Sequence, residues 1–125
     1  MKRIILVDDD RTNGSLTKML LEMQGFHVAV SPTLTQAQEA AAEGVDAFII
    51  DCHLSEGDSG LDLLEAVRHG QTAADPTTPV IMTSGDSRQE EIAHQKGASI
   101  FLLKPYPISA LAEQLNVITV GVSYE

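Results

Sequence analysis

The 125-residue chain has the size of one domain, and at 43% hydrophobic residues it carries enough apolar material for a core without disulfides, which excludes a disordered segment. Its net charge of −10, with eight scattered Lys and Arg, argues against nucleic acid as a partner, and no apolar run approaches the roughly 20 residues of a membrane span. The single cysteine, Cys52, has no partner for an internal bridge, and the apolar run after Met1-Lys2-Arg3 stops at Asp8, too short for a secretory core, so a reducing cytoplasm is the expected setting.

Short apolar runs alternate with longer amphipathic stretches along the chain. Ile4–Val7 reads as a buried strand and ends on Asp8, Asp9 and Asp10, of which Asp10 suits a helix cap. Arg11–Gln24 reads as a helix with Leu16, Met19, Leu20 and Met23 on its inner face. A second strand, His27–Val30, leads to a helix over Thr33–Glu43 that carries Leu34, Ala37 and Ala41 inward and opens on the capping-box pair Thr33 and Gln36. Ala47–Ile50 is the third strand and ends on Asp51. The loop Leu54–Gly60 precedes a helix over Leu61–His69 with Leu61, Leu64, Ala66 and Val67. Val80–Thr83 is the fourth strand, followed by Ser84 and Gly85. Arg88–Lys96 is a polar helix with Ile92 and Ala93 facing in, and Ser87 with Glu90 fits a second capping box. Ile100–Leu103 is the fifth strand and ends on Lys104 and Pro105, before a helix over Ile108–Asn116 with Ile108, Leu111 and Leu115. Gly25, Gly44, Gly70 and Gly97 each follow a predicted helix, where a left-handed residue is wanted.

Five β-α units in strict alternation predict a doubly wound α/β fold: one five-stranded parallel sheet with five helices, a single domain over residues 1–120 and a short tail over 121–125. Strand order is open at this point. Ligands of such sheets bind beyond the carboxyl ends of the strands. Those ends supply Asp8, Asp9 and Asp51, the hydroxyls of Thr83 and Ser84, and the ammonium of Lys104. Carboxylates crowded at one sheet edge repel each other, a cost that a hard divalent cation offsets. Mg²⁺ takes one or two carboxylates, waters and phosphate oxygens. An aspartate can accept a phosphoryl group as an acyl phosphate, and a lysine and a hydroxyl can stabilise the transferring charge.

In order and spacing these residues resemble the response-regulator receiver family of two-component signalling along nearly the whole chain. The matching pieces are Ile5-Leu6-Val7-Asp8-Asp9-Asp10, Asp46-Ala47-Phe48-Ile49-Ile50-Asp51, Gly60-Leu61-Asp62-Leu63-Leu64, Pro79 to Gly85, Gly97-Ala98 and Leu103-Lys104-Pro105-Tyr106. The resemblance implies a flavodoxin-like receiver fold and a role for each matched position. Asp51 is the expected phosphorylation site. Asp9 is the expected direct Mg²⁺ (or Mn²⁺) ligand, with Asp8 helping, partly through water, and the backbone carbonyl of His53 as a further contact. Ser84 is the expected switch hydroxyl, Lys104 the phosphate-pairing lysine, Phe101 the aromatic that swings inward, and Lys104–Pro105 a cis peptide. The implied partners are a sensor histidine kinase or a histidine phosphotransfer protein, and a downstream protein reading the face of the fourth helix, fifth strand and fifth helix. The implied activity is a phosphorylation switch rather than turnover catalysis, beyond the domain's own phosphorylation and autodephosphorylation. The loop before Gly60 departs from the common pattern: Ser55 stands where a proline is usual and the loop is one residue longer, a variant similar to receivers carried by hybrid histidine kinases. With no output domain in view, signalling would proceed through binding, or the chain is part of a larger kinase.

Two other readings stay open on the residues alone. Asp8-Asp9-Asp10-Arg11-Thr12 also fits the nucleophile motif of haloacid-dehalogenase-like phosphatases, with Asp8 as nucleophile and Asp10 as general acid, but that leaves Asp51 without a role. A degenerate receiver that only binds partners is the other.

Overall fold

The computed structural model describes residues 1–54 and 57–120. Ser55 and Glu56, which carry the loop variant, and the tail 121–125 lie outside the described residues. The elements are β1 (Arg3–Val7), α1 (Arg11–Met23), β2 (His27–Ser31), α2 (Leu34–Ala41), β3 (Ala47–Asp51), α3 (Gly60–Arg68), β4 (Val80–Ser84), α4 (Gln89–Gln95), β5 (Ile100–Leu103) and α5 (Ile108–Val120). All strands pair in parallel in one sheet, ordered β2-β1-β3-β4-β5. The order reverses direction between β1 and β3, which makes the tips of those strands the natural crevice.

Alternation along each strand builds two cores. Ile5, Val7, Phe48, Ile50, Val80 and Met82 pack with α2, α3 and α4. Ile4, Leu6, Val28, Ile49 and Ile81 pack with Leu21 of α1 and Leu111, Ala112 and Leu115 of α5. Burial on both faces explains why the central strands read as continuous apolar runs.

Helix ends follow local chemistry. Asp10 caps α1, its carboxylate accepting from the Asn13 N–H at 3.1 Å, and Thr33 caps α2 by accepting from Gln36 N–H. Gly25, Gly44, Gly70 and Gly97 all take positive φ, as expected after helices. At Gly97 a side chain is excluded twice over, since a Cβ would also sit 2.9 Å from Arg68 Cγ.

Three expectations are corrected. The inner face of α1 is Gly14, Thr17 and Leu21, while Leu16, Met19 and Met23 are about half or more exposed and Leu20 is only half-buried. The helix lies so close to β2 that a Cβ on Gly14 would be 3.3 Å from Val30, so the row of small residues packs and the larger apolar row turns outward. In α4 only Ala93 is buried, and Ile92 is 40% exposed. The Ser87 capping box does not form: the Gln89 and Glu90 N–H groups bond to the Asp86 and Ser87 carbonyls, and the Asp86 carboxylate takes the Arg88 N–H, leaving the Ser87 hydroxyl no donor to accept from.

Candidate phosphoryl-acceptor site

Register gathers the strand tips. Val7 pairs with Ile50, so Asp8 follows beside Asp51; Asp51 pairs with Thr83, and Ser84 with Leu103, so Lys104 emerges next to the same edge. The Cys52 N–H bonds to Thr83 O at 2.9 Å and the Lys104 N–H to Ser84 O at 2.8 Å, which extends the sheet order into the loops.

Asp51 is the centre. Its Oδ2 accepts from Lys104 Nζ at 2.7 Å and its Oδ1 from the His53 N–H at 3.1 Å. The Asp51 side chain is 12% exposed and that of Lys104 31%. Burial alone would lower the proton affinity of the Lys104 amine, but the hydrogen bond and charge of Asp51, helped by Asp8, raise its pKa above the ordinary lysine value. The stabilisation that Lys104 contributes is therefore present below the unfolded lysine value and is lost as pH rises through the raised folded value. The adjacent Cys52 thiol is pushed up to about 11 by burial and then by the charge of Asp51. Iodoacetamide at neutral pH should therefore alkylate the folded protein roughly a hundredfold or more slowly than the denatured chain, as read by mass spectrometry; equal rates would contradict a buried Cys52.

Asp8 is buried and doubly held, Oδ1 accepting from the Asp10 N–H at 2.9 Å and Oδ2 from Asn13 Nδ2 at 3.0 Å. Asp9 is half-buried, and among the described residues its carboxylate has no hydrogen-bond or ion-pair partner. Ser84 is fully buried, its Oγ accepting from the Asp86 N–H at 3.0 Å. Asp86 in turn forks onto Arg88, which holds its carboxyl below the usual carboxylate range. Phe101 is half-buried against the core formed with α2, α3 and α4. The Lys104–Pro105 peptide is cis. The His53 side chain is exposed, and its backbone bridges to Ser59.

Two contributors have no role assigned from the sequence, although Gly60 heads one of the stretches that carry the resemblance. Gly60, the first residue of α3, donates its N–H to Cys52 O at 2.9 Å, and a Cβ there would overlap the Asp51 carbonyl oxygen and lie 2.6 Å from Ile50 Cγ2. Asn13 is the other: near a helix start an Asn ordinarily reads as a capping or solvated residue, and only the fold brings its amide to Asp8.

Among the described residues no three His, Cys, Asp or Glu side chains converge into a metal cage of their own. A cation here would need further oxygens from backbone, water or a phosphoryl group, which is the habit of Mg²⁺. The donor set of Asp8, Asp9 and Asp51 is all oxygen, so it fits such an ion.

The family model for the response regulator receiver domain matches residues 4–116. The chain belongs to this family. The receiver is 34% identical over 120 residues to the transcriptional regulatory protein CpxR of Escherichia coli K12, covering 94% of this chain and 49% of that protein. It is 35% identical over 122 residues to the sensory/regulatory protein RpfC of Xanthomonas campestris pv. campestris, covering 95% of this chain and 17% of that protein. The chain thus spans about half the length of the first and under a fifth of the second. A receiver domain from Clostridium thermocellum superposes with a TM-score of 0.87 at 25% identity, covering 98% of both chains. Receivers are phospho-acceptor signalling switches of two-component systems, not typical enzymes. The receiver family works with histidine kinases or phosphotransfer proteins and generally uses Mg²⁺. Membership sets aside the phosphatase reading, and Asp10, its would-be general acid, is engaged as the cap of α1. No helix of the described residues is long and apolar enough to cross a membrane.

Proposed function

We propose that Asp51 is the phosphoryl acceptor of this receiver, taking the group from a phosphohistidine of a sensor kinase or phosphotransfer protein, or from a small acyl phosphate. The observation that carries this reading is the 2.7 Å contact of Lys104 Nζ with Asp51 Oδ2, at an edge where β1 and β3 set Asp8 beside Asp51. A carboxylate oxygen of Asp51 attacks phosphorus, the P–N bond to the donor imidazole breaks, and an acyl phosphate forms. Asp8, Asp9, Asp51 and the His53 carbonyl would hold Mg²⁺, which supplies Lewis-acid stabilisation of phosphoryl charge.

The chain's own groups do the rest. Forming the acyl phosphate removes the Asp51 carboxylate charge and places phosphoryl charge beside it, so the Lys104 ammonium transfers its hydrogen bond to a phosphoryl oxygen. The Ser84 hydroxyl leaves the Asp86 N–H and donates to a second oxygen, and the space it vacates admits Phe101. Shifting an inactive–active equilibrium from mostly off to mostly on needs about 3–5 kcal/mol, within reach of several charge-assisted hydrogen bonds. The rearranged face of α4, β5 and α5 is then read by a downstream protein in the cytoplasm. Water attack on phosphorus breaks the bond to the Asp51 oxygen, releases inorganic phosphate and returns Asp51 to its carboxylate, completing the domain's own phosphorylation and autodephosphorylation.

Acetyl phosphate tests the metal dependence. With Mg²⁺ the intact mass should rise by one phosphoryl group, and with EDTA in place of Mg²⁺ the gain should vanish. Equal uptake under both conditions would overturn the assignment of Asp8 and Asp9 to a cation.

A further inference from the structure

Asp8 is held from the side of α1 by a closed set of bonds. The Asp10 N–H donates to its Oδ1 at 2.9 Å and Asn13 Nδ2 to its Oδ2 at 3.0 Å, while the Asn13 N–H donates to Asp10 Oδ1 at 3.1 Å. The first donor is backbone and would survive substitution of residue 13. The second depends on residue 13 being an amide. With one donor on each oxygen the Asp8 carboxylate is fixed in plane and in rotation, and its remaining lone pairs are left for whatever sits at the edge shared with Asp51. Asp8 is only 6% exposed whereas Asn13 is exposed, so the amide stands at the boundary between the Asp8 carboxylate and solvent. Asn13 also lines, with Leu16, Thr17, Lys104, Pro105, Tyr106 and Ile108, a hollow of about 290 Å³ beside the site.

A carboxylate fixed in this way matters more to one kind of cation than to another. Mg²⁺ demands near-ideal octahedral geometry at short metal–oxygen distances, whereas Ca²⁺ accepts longer distances and irregular arrangements. Partners that orient a ligand set affinity nearly as strongly as the ligand itself. We propose that Asn13 is a positioning residue of this receiver, locking the Asp8 carboxylate so that the site prefers a small octahedral cation over a larger one. The inference rests on the reading of Asp8 and Asp9 as cation ligands.

Isothermal titration of the unphosphorylated protein with Mg²⁺ and, separately, with Ca²⁺ tests it. Asn13→Leu keeps the side-chain bulk and removes the donor. It should raise the Mg²⁺ Kd by about tenfold and the Ca²⁺ Kd by clearly less, so that the preference for Mg²⁺ falls. Asn13→Gln, which keeps an amide but shifts it by one methylene, should change the preference in the same direction by a smaller factor and serves if the leucine variant does not fold. An unchanged Mg²⁺ Kd, or equal losses for both ions, would overturn the role of Asn13 while leaving the cation site standing. Wild-type protein that binds neither ion would overturn both the site and this inference.

Discussion

Lys104→Met should slow phosphoryl uptake from acetyl phosphate by at least about a hundredfold, the scale on which removal of one preorganised electrostatic donor acts. Lys104 is the cation in contact with the carboxylate of Asp51, at 2.7 Å, and the charge of Asp8 also bears on it. In the transition state it would meet phosphoryl charge that no other described side chain at this edge is placed to neutralise, and methionine preserves its apolar stem. Mg²⁺ affinity should not fall, because the ammonium competes with a metal for Asp51. The pair of readouts is diagnostic. Uptake lost with metal binding kept fits direct stabilisation of the phosphoryl group, whereas uptake unchanged, or lost together with metal binding, contradicts the role given to Lys104.

Gly60→Ala should destabilise the fold by about 2–3 kcal/mol, read as a lower urea midpoint at unchanged slope. The methyl group would overlap the Asp51 carbonyl oxygen, approach Ile50 Cγ2 to 2.6 Å and Asp51 C to 3.0 Å. The obstruction is largely backbone, and β3 is paired on both edges, by β1 and β4, so neither it nor α3 can withdraw without breaking sheet or helix bonds. Because the displaced residue is Asp51 itself, the folded fraction should also take up phosphoryl more slowly than wild type. A loss of stability smaller than about 0.5 kcal/mol would show that α3 can move away from β3 at little cost.

Much of the site is legible in the sequence because each of its side chains stands at the end of a short apolar run. Asp8 and Asp9 follow Ile4–Val7, Asp51 and Ser84 end β3 and β4, and Lys104 follows β5; a parallel sheet buried on both faces must bring such ends to one edge. Helix stops were equally readable, since Gly25, Gly44, Gly70 and Gly97 take the positive φ their positions imply. What was not legible depends on distances between elements. Strand order places β1 and β3 side by side, and no local signal states it. The inner face of α1 is set by the close approach of Gly14 to Val30, against the weight of apolar residues at Leu16, Met19 and Met23. Arg68 reads as an ordinary helix-end cation, yet it donates to the carbonyls of Gly97, Pro76 and Thr78 at 2.9, 2.9 and 2.7 Å, tying α3 to the loops before β4 and β5. Asn13 belongs to the same class, and so does the role of Gly60: its place in a matching stretch is readable, its contact with the Asp51 carbonyl is not.

In the proposed switch Asp51 alone carries the phosphoryl group. Intact-mass measurement of wild type and Asp51→Asn after incubation with acetyl phosphate and Mg²⁺ tests it most directly. Wild type should gain one phosphoryl group and the asparagine variant none; no gain on wild type, or an equal gain on both, would contradict it.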